Sequence, residues 1–168
     1  MHRPGRRTMT VLHLMVGLPG SGKTTWAREI ENETSAIRLT PDEWQTRLRG
    51  DDTYHPDHER LHDSVEAIMR ELAEALLRRG VDVILDFGFW SRRERNDLHA
   101  FARQLGVGCM THYAAATPAV LERRRQERIT EAPPDKFTFT AASLAEWIAL
   151  FEPPDTAELE QGEIRTAQ

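Results

Sequence analysis

Gly17-Leu18-Pro19-Gly20-Ser21-Gly22-Lys23-Thr24 is the stretch on which the reading of this chain turns. Its spacing is G-x-x-x-x-G-K-[ST], that of a phosphate-binding loop. Glycines that tolerate positive φ let consecutive backbone N–H groups curl into a cup for anionic oxygens. In such a cup Lys23 is expected to reach the β- and γ-phosphates of a nucleotide and Thr24 to hold Mg2+, with Thr25 beside them. The flanks agree. Thr10–Val16 is an apolar run of strand type, and from Thr24 to Asn32 the residues Trp26, Ala27 and Ile30 recur on one helical face. That helix would aim the positive end of its dipole at the same phosphates.

Outward from the loop, 168 residues suffice for one domain with a full core. A hydrophobic content of 39% with 29% charged residues suits a soluble globular protein. The net charge of −5 supplies no overall basic field for a polyanion, so any nucleic-acid contact needs a local patch. Twenty of the 22 cationic residues are arginines, which favour fork-like phosphate contacts. Cys109 is the only cysteine; it excludes an internal disulfide, fits a reducing, cytoplasmic compartment, and lies in an apolar run that suits core rather than nucleophile. The basic start, Met1 to Arg7, followed by an apolar run, mimics a signal peptide, but the run ends in the phosphate loop with no small-residue cleavage site. Residues 1–8 are expected to be a flexible tail, with Met9 as an alternative start, and 9–168 a single domain with a lid at about 117–135. No apolar run approaches the length that spans a membrane.

Strand-like runs alternate with helical periods, the pattern of an α/β, mostly parallel sheet. Strands are predicted at Thr10–Val16, Ala36–Leu39, Val81–Asp86 and Gly108–Tyr113, with a fifth at Glu163–Thr166. Helices are predicted near 23–33, 41–49, 57–79, 91–105, 117–130 and 143–151, with loops at Gly50–Pro56 and Ala132–Asp135. Thr40-Pro-Asp-Glu43, Ser91-Arg-Arg-Glu94 and Ser143-Leu-Ala-Glu146 have capping-box spacing, and Thr117-Pro118 places proline at a first helical position.

Ligands of such sheets bind beyond the carboxyl ends of the strands, which ranks the candidates. Asp42 follows the second strand; it could take a proton from an attacking hydroxyl, or simply be the acid a helix dipole favours. Glu43 reads as structural. Asp86 could orient Mg2+ or close a strand, and the following Phe87, Phe89 and Trp90 could stack on an acceptor or pack. Arg124 and Arg128 share one face of the helix after the fourth strand, with Arg123 and Arg125 on others. They would either neutralise a transferring phosphoryl group or lie in a solvated helix laced by Glu122 and Glu127. His58-Glu59-Arg60-Leu61-His62 fits H-E-x-x-H, the helix of zinc hydrolases. With seven histidines and 27 acids in the chain, that match arises easily by chance, and no third ligand stands at a familiar spacing. It reads as a polar helix face.

Taken together, Gly17–Glu29, Thr40-Pro-Asp-Glu-Trp44, Asp86 with Ser91-Arg-Arg-Glu-Arg95, and Leu121–Arg128 resemble the small P-loop kinases. That group includes the kinase domain of polynucleotide 5′-hydroxyl kinases, chloramphenicol phosphotransferase and the zeta toxins. Val83–Ser91 is similar to AAA-type ATP-binding proteins grouped with them. The resemblance covers about residues 10–130 and implies a three-layer P-loop kinase sandwich with a four- to five-stranded sheet. It implies Mg·ATP on residues 17–25, Asp42 as general base, Lys23, Arg124 and Arg128 as catalytic cations, and Thr24 with Asp86 at the metal. In the polynucleotide kinases an arginine three residues after the base helps hold the acceptor strand; here Gln45 stands there, and neither Arg47 nor Arg49 aligns. Asp86-Phe87-Gly88 replaces their Asp-Thr-Asn. The expectation is therefore transfer from ATP to a small hydroxylated acceptor, with nucleic acid disfavoured. The alternatives are a polynucleotide 5′-hydroxyl kinase, a nucleotide-gated binding protein without an acceptor, and a zinc hydrolase.

Overall fold

The structure, a computed structural model, describes residues 9–49, 57–131, 139–160 and 162–168. The expected tail at 1–8, the loop at 50–56 and the far part of the lid region lie outside these residues. In chain order the elements are β1 (Val11–Val16), α1 (Lys23–Glu33), β2 (Ile37–Leu39), α2 (Pro41–Arg49), α3 (His58–Leu77) and β3 (Val83–Gly88). Then follow α4 (Arg92–Leu105), β4 (Gly108–Ala115), α5 (Pro118–Glu131), α6 (Ala141–Leu150) and β5 (Glu163–Thr166). The strands form one sheet in the order β2-β3-β1-β4-β5, parallel throughout.

Side-chain alternation along β1 builds both outer layers. Leu12, Leu14 and Val16 face one side, where with Val83 and Leu85 they meet Val65, Met69, Ala73 and Leu77 of α3 and Leu98 and Ala102 of α4. Met15 points to the other side with Ile84, against Trp26, Ala27 and Ile30 of α1. Both faces are thus covered, as an all-parallel sheet requires. Each fully buried aliphatic contributes roughly 1.5–3 kcal/mol through the water it sheds. A smaller cluster of Leu18, Leu121, Phe139 and Leu144 joins the phosphate loop to α5 and α6.

Local chemistry moves some predicted boundaries. β3 begins at Val83 rather than Val81, because the end of α3 claims the preceding residues: Val81 N–H donates to the Leu76 carbonyl and Gly80 turns at φ 79°. Ser91 caps α4 as its spacing predicts, accepting from Glu94 N–H at 3.1 Å. Ser143 does not cap α6. Thr140 does so one turn earlier, accepting from Ser143 N–H at 3.0 Å, and the added turn seats Leu144 in its cluster. Nor does Thr40 close a capping box; its hydroxyl accepts from Arg38 and donates to Asp86 Oδ2. No helix among the described residues is long and apolar enough to cross a membrane.

Candidate functional site

The chain leaves β1 at Val16 and enters the loop through Gly17, whose N–H donates to the Gly88 carbonyl at 3.0 Å. Gly17 has φ 151°, and a Cβ there would lie 2.9 Å from the Ala114 carbonyl oxygen, so no larger residue fits. Ser21 N–H closes a turn on the Leu18 carbonyl at 3.0 Å. Gly22, at φ 97°, then caps α1 without any side-chain acceptor and with no acid in the first turn. The first N–H groups of α1 are therefore left for an external anion. Pro19 to Trp26 line a cavity of about 1360 Å³.

The two candidate aspartates stand in different settings. Asp42, in the first turn of α2, is exposed on the cavity wall and has no hydrogen-bond or ion-pair partner among the described residues. Asp86 is buried near the end of β3; Oδ2 accepts from Thr40 Oγ1 at 3.3 Å and Oδ1 has no partner. Burial raises its pKa, opposed by the Lys23 charge, the Thr24 hydroxyl and Arg38, and reinforced by Asp42. Glu43, next to Asp42, is tied to Arg38 at 3.0 and 3.2 Å and to Arg28 at 2.9 Å, while Arg38 also reaches Glu31 at 2.9 Å. This network fastens α2 to α1 and β2, and fits the structural reading of Glu43.

On α5 the arginines separate by face. Arg124 Nη1 donates to the Gly20 carbonyl at 2.9 Å, and Arg124 and Arg128 both line the cavity. Arg123 turns away to the Gln168 carbonyl at 2.6 Å, and Arg125 is forked onto Glu122. Lys23 and Arg128 form no ion pair among the described residues, and neither does Arg47, which shares the cavity wall with Asp42 and Thr46. Sequence spacing alone gave Arg47 no assigned place; position on a cavity wall depends on how α2 is rolled. Gln45, by contrast, is buried and its Oε1 meets His62 Nδ1 at 3.1 Å.

Several open alternatives are narrowed. Phe87, Phe89 and Trp90 do not line the cavity: Phe87 stacks on Phe89 at 5.3 Å beneath Arg70, and Trp90 packs on Trp147 at 5.9 Å. His62 has both ring nitrogens engaged, Nδ1 with Gln45 and Nε2 with Glu66 at 3.2 Å, and the Glu66 contact chiefly raises its pKa. A ring so held presents no lone pair to zinc; the side chains of His58 and Glu59 lie outside the described residues. No group of three His, Cys, Asp or Glu side chains among the described residues could hold a metal by itself. Cys109 is half-buried against the main core, and burial pushes its thiol up to about 12, so it stays protonated. The far end of the cavity was missed: Ala114, Arg165, Thr166 and Ala167 line it, with Arg165 4.4 Å above the Trp26 ring and paired with Glu29. Every residue of β5 is exposed, so although the strand itself was predicted, no alternation marks which of its residues face the cavity.

With this geometry in place, comparison with known proteins is informative. The profile of a family described as an AAA domain matches residues 12–154. No curated protein matches the chain significantly. Among solved structures, a candidate kinase from Chloroflexus aurantiacus is similar at 17% identity and TM-score 0.70, over 95% of this chain and 88% of that one. Kti12 of Chaetomium thermophilum, in complex with ADP-AlF3, is similar at 16% identity and TM-score 0.69, over 93% and 88%. A chain of the Pnkp1/Rnl/Hen1 RNA repair complex is similar at 21% identity and TM-score 0.68; the present chain spans only 52% of it. At these identities the likeness is one of fold.

Proposed function

The chain belongs to the AAA-domain family that it matches over residues 12–154, and from that premise we propose an ATP-dependent phosphotransferase that moves the γ-phosphoryl group to a hydroxyl of a small acceptor. One observation carries the reading. The cavity floored by the phosphate loop has an unpaired carboxylate, Asp42, on one wall and the cations Lys23, Arg124 and Arg128 around the loop. A phosphoryl transfer needs a proton acceptor for the attacking hydroxyl and positive charge around the transferring group.

In this reading the backbone N–H groups of 17–25 cradle the phosphates. Asp42 accepts the acceptor's hydroxyl proton as its oxygen bonds to the γ-phosphorus. The bond from that phosphorus to the β–γ bridging oxygen breaks, and ADP leaves. Lys23, Arg124 and Arg128 neutralise charge spreading over the equatorial oxygens. The Thr24 hydroxyl would hold Mg2+, and Asp86 Oδ1, without a partner among the described residues, would orient it through a bound water, since such an ion keeps several waters beside its phosphate oxygens. That ion would neutralise the β- and γ-phosphate oxygens.

The test is Asp42→Asn beside Lys23→Ala, assayed with a metabolite pool and ATP for products one phosphate heavier. Both variants are expected to abolish transfer, and Asp42→Asn to keep its ATP affinity. Normal transfer by Asp42→Asn makes Asp42 a helix-dipole acid and removes the proposed mechanism. Arg47 favours one further reading, a polynucleotide 5′-hydroxyl acceptor, because an arginine on the cavity wall with Asp42, without an ion pair among the described residues, suits a phosphodiester. Strong, salt-sensitive labelling of 5′-hydroxyl oligonucleotides would select it.

A further inference from the structure

The strand that carries Asp86 leaves the sheet through a strained turn. Gly88 has φ 107° and Phe89 has φ 43°, the only positive φ of a non-glycine among the described residues. A bulky residue held there must be over-determined by its surroundings. The holder is Arg95 of α4, whose side chain is 1% exposed. Its Nη1 donates to the carbonyls of Phe89 and Trp90 at 3.0 and 3.3 Å. Its Nε and Nη2 fork onto the Glu158 carboxylate at 2.7 and 3.1 Å. Glu158 is itself fixed by a reciprocal pair: its N–H donates to Asp155 Oδ1 at 3.0 Å, and its Oε2 accepts from Asp155 N–H at 3.2 Å. Glu152 N–H adds a bond to the Trp90 carbonyl at 3.0 Å. Segment 152–158 is thus strapped across the exit of β3.

What this strap holds is adjacent to the phosphate loop. The carbonyl of Gly88, the first residue of the strained turn, receives Gly17 N–H, where the chain enters the loop. A Cβ at Gly88 would sit 3.4 Å from the Gly17 carbonyl oxygen and 3.1 Å from Trp90 Nε1, so the two turns are in close register. Asp86 lies two residues upstream in the same strand. Relaxation of Phe89 toward an ordinary φ would move the Gly88 carbonyl, and Gly17 with it. A buried ion pair is by itself weak evidence for stability, which leaves room for a different use.

We propose that Arg95 and Glu158 are positioning residues of the phosphate loop: the buried pair holds the Gly88–Trp90 turn in the conformation that receives Gly17 N–H and sets Asp86 beside Thr24. The inference rests on the nucleotide reading of that loop. Glu158 lies beyond the segment matched by the family profile, so the clamp joins a part of the chain outside the match to the loop inside it.

The test compares Glu158→Gln and Arg95→Lys with Leu77→Val, a core substitution at the last residue of α3. Each is measured for thermal midpoint, for Mg·ATP affinity by calorimetry, and for amide exchange at Gly17 by NMR. Glu158→Gln is expected to weaken Mg·ATP binding about tenfold and to speed Gly17 exchange selectively, while Leu77→Val, at a comparable loss of midpoint, leaves both unchanged. Arg95→Lys keeps the charge without the fork and is expected to do the same as Glu158→Gln, so it serves if that variant fails to fold. Wild-type affinity and wild-type Gly17 exchange in either folded variant overturn the clamp alone. Absence of Mg·ATP uptake by the wild-type protein overturns the nucleotide reading instead, and Gly17 exchange still decides whether the pair holds the loop.

Discussion

Asp86 and His112 are both almost fully buried, and each keeps one polar atom without a hydrogen-bond partner, Oδ1 and Nδ1 respectively. Burial disfavours the charged form of both: it raises the Asp86 carboxyl and pushes His112 down to about 4. Their neighbours differ. Around Asp86, Lys23, Thr24 and Arg38 favour the charge that burial opposes. Around His112, His13 at 2.9 Å and Arg165 disfavour it further, the Trp26 ring meets it edge-on at 5.0 Å, and the carboxylate nearest Nδ1, that of the exposed Glu163, stands 3.7 Å away, beyond hydrogen-bond distance. An unpaired buried atom points to a ligand only where complementary groups converge on it. Asp86 meets that condition beside Lys23, Thr24 and Arg38; His112 faces one exposed carboxylate and is a neutral member of a packed pair.

The same contrast, groups facing the cavity against groups facing elsewhere, predicts the largest effect on α5. Arg128→Ala is expected to lower kcat by about 10³-fold, the scale of an arginine that stabilises the transferring phosphoryl group. Arg123→Ala, whose guanidinium is bonded away from the cavity, should leave kcat within about twofold. Equal losses in the two variants, measured in one steady-state assay, would erase the distinction between the faces.

Asp86→Asn sharpens it at lower amplitude. Outer-sphere partners of a bound ion are typically worth about 10–100-fold in metal affinity, so Mg-dependent ATP binding should fall by that factor. The stability of the ligand-free protein should move the other way. A carboxyl whose folded pKa is raised contributes stability below its unfolded pKa and loses it as pH rises through the folded value. Above the unfolded value the buried carboxyl is therefore a burden that asparagine removes, and the thermal midpoint should rise. A lower midpoint with unchanged Mg dependence would place Asp86 in the same class as His112.

How far the sequence reached follows the same physics. The first strand, the glycine loop, the helix after it and the fifth strand were legible because backbone conformation leaves local signatures: an apolar run, glycines at fixed spacing, then a helical period. The aromatic run Phe87–Trp90 left acceptor stacking and ordinary packing both open, because residue type does not say which way a strained turn throws its side chains. Arg47 was passed over because α2 carries too few buried residues to fix its roll by pattern. The Arg95–Glu158 pair was invisible for another reason. Its partners stand 63 positions apart, and no local period marks a buried salt bridge.

The smallest effect on transfer is expected at the histidine pair, where the signal is in stability. His13 Nδ1 and His112 Nε2 share one hydrogen bond, so one ring donates and the other accepts. Burial lowers both pKa values; Asp82 and Glu163 partly restore that of His13, while His13 and Arg165 add to the fall at His112. A depressed folded pKa means stability that is full above the unfolded value of 6.5 and lost as pH falls through about 4. For His112 that loss amounts to roughly 3 kcal/mol. Urea unfolding between pH 7 and 4 should show it in the wild type and show a flatter profile in His112→Gln, with transfer at neutral pH unchanged in the variant. If His112→Gln abolishes transfer at neutral pH while remaining folded, then convergence of complementary charge is not what separates the two buried groups.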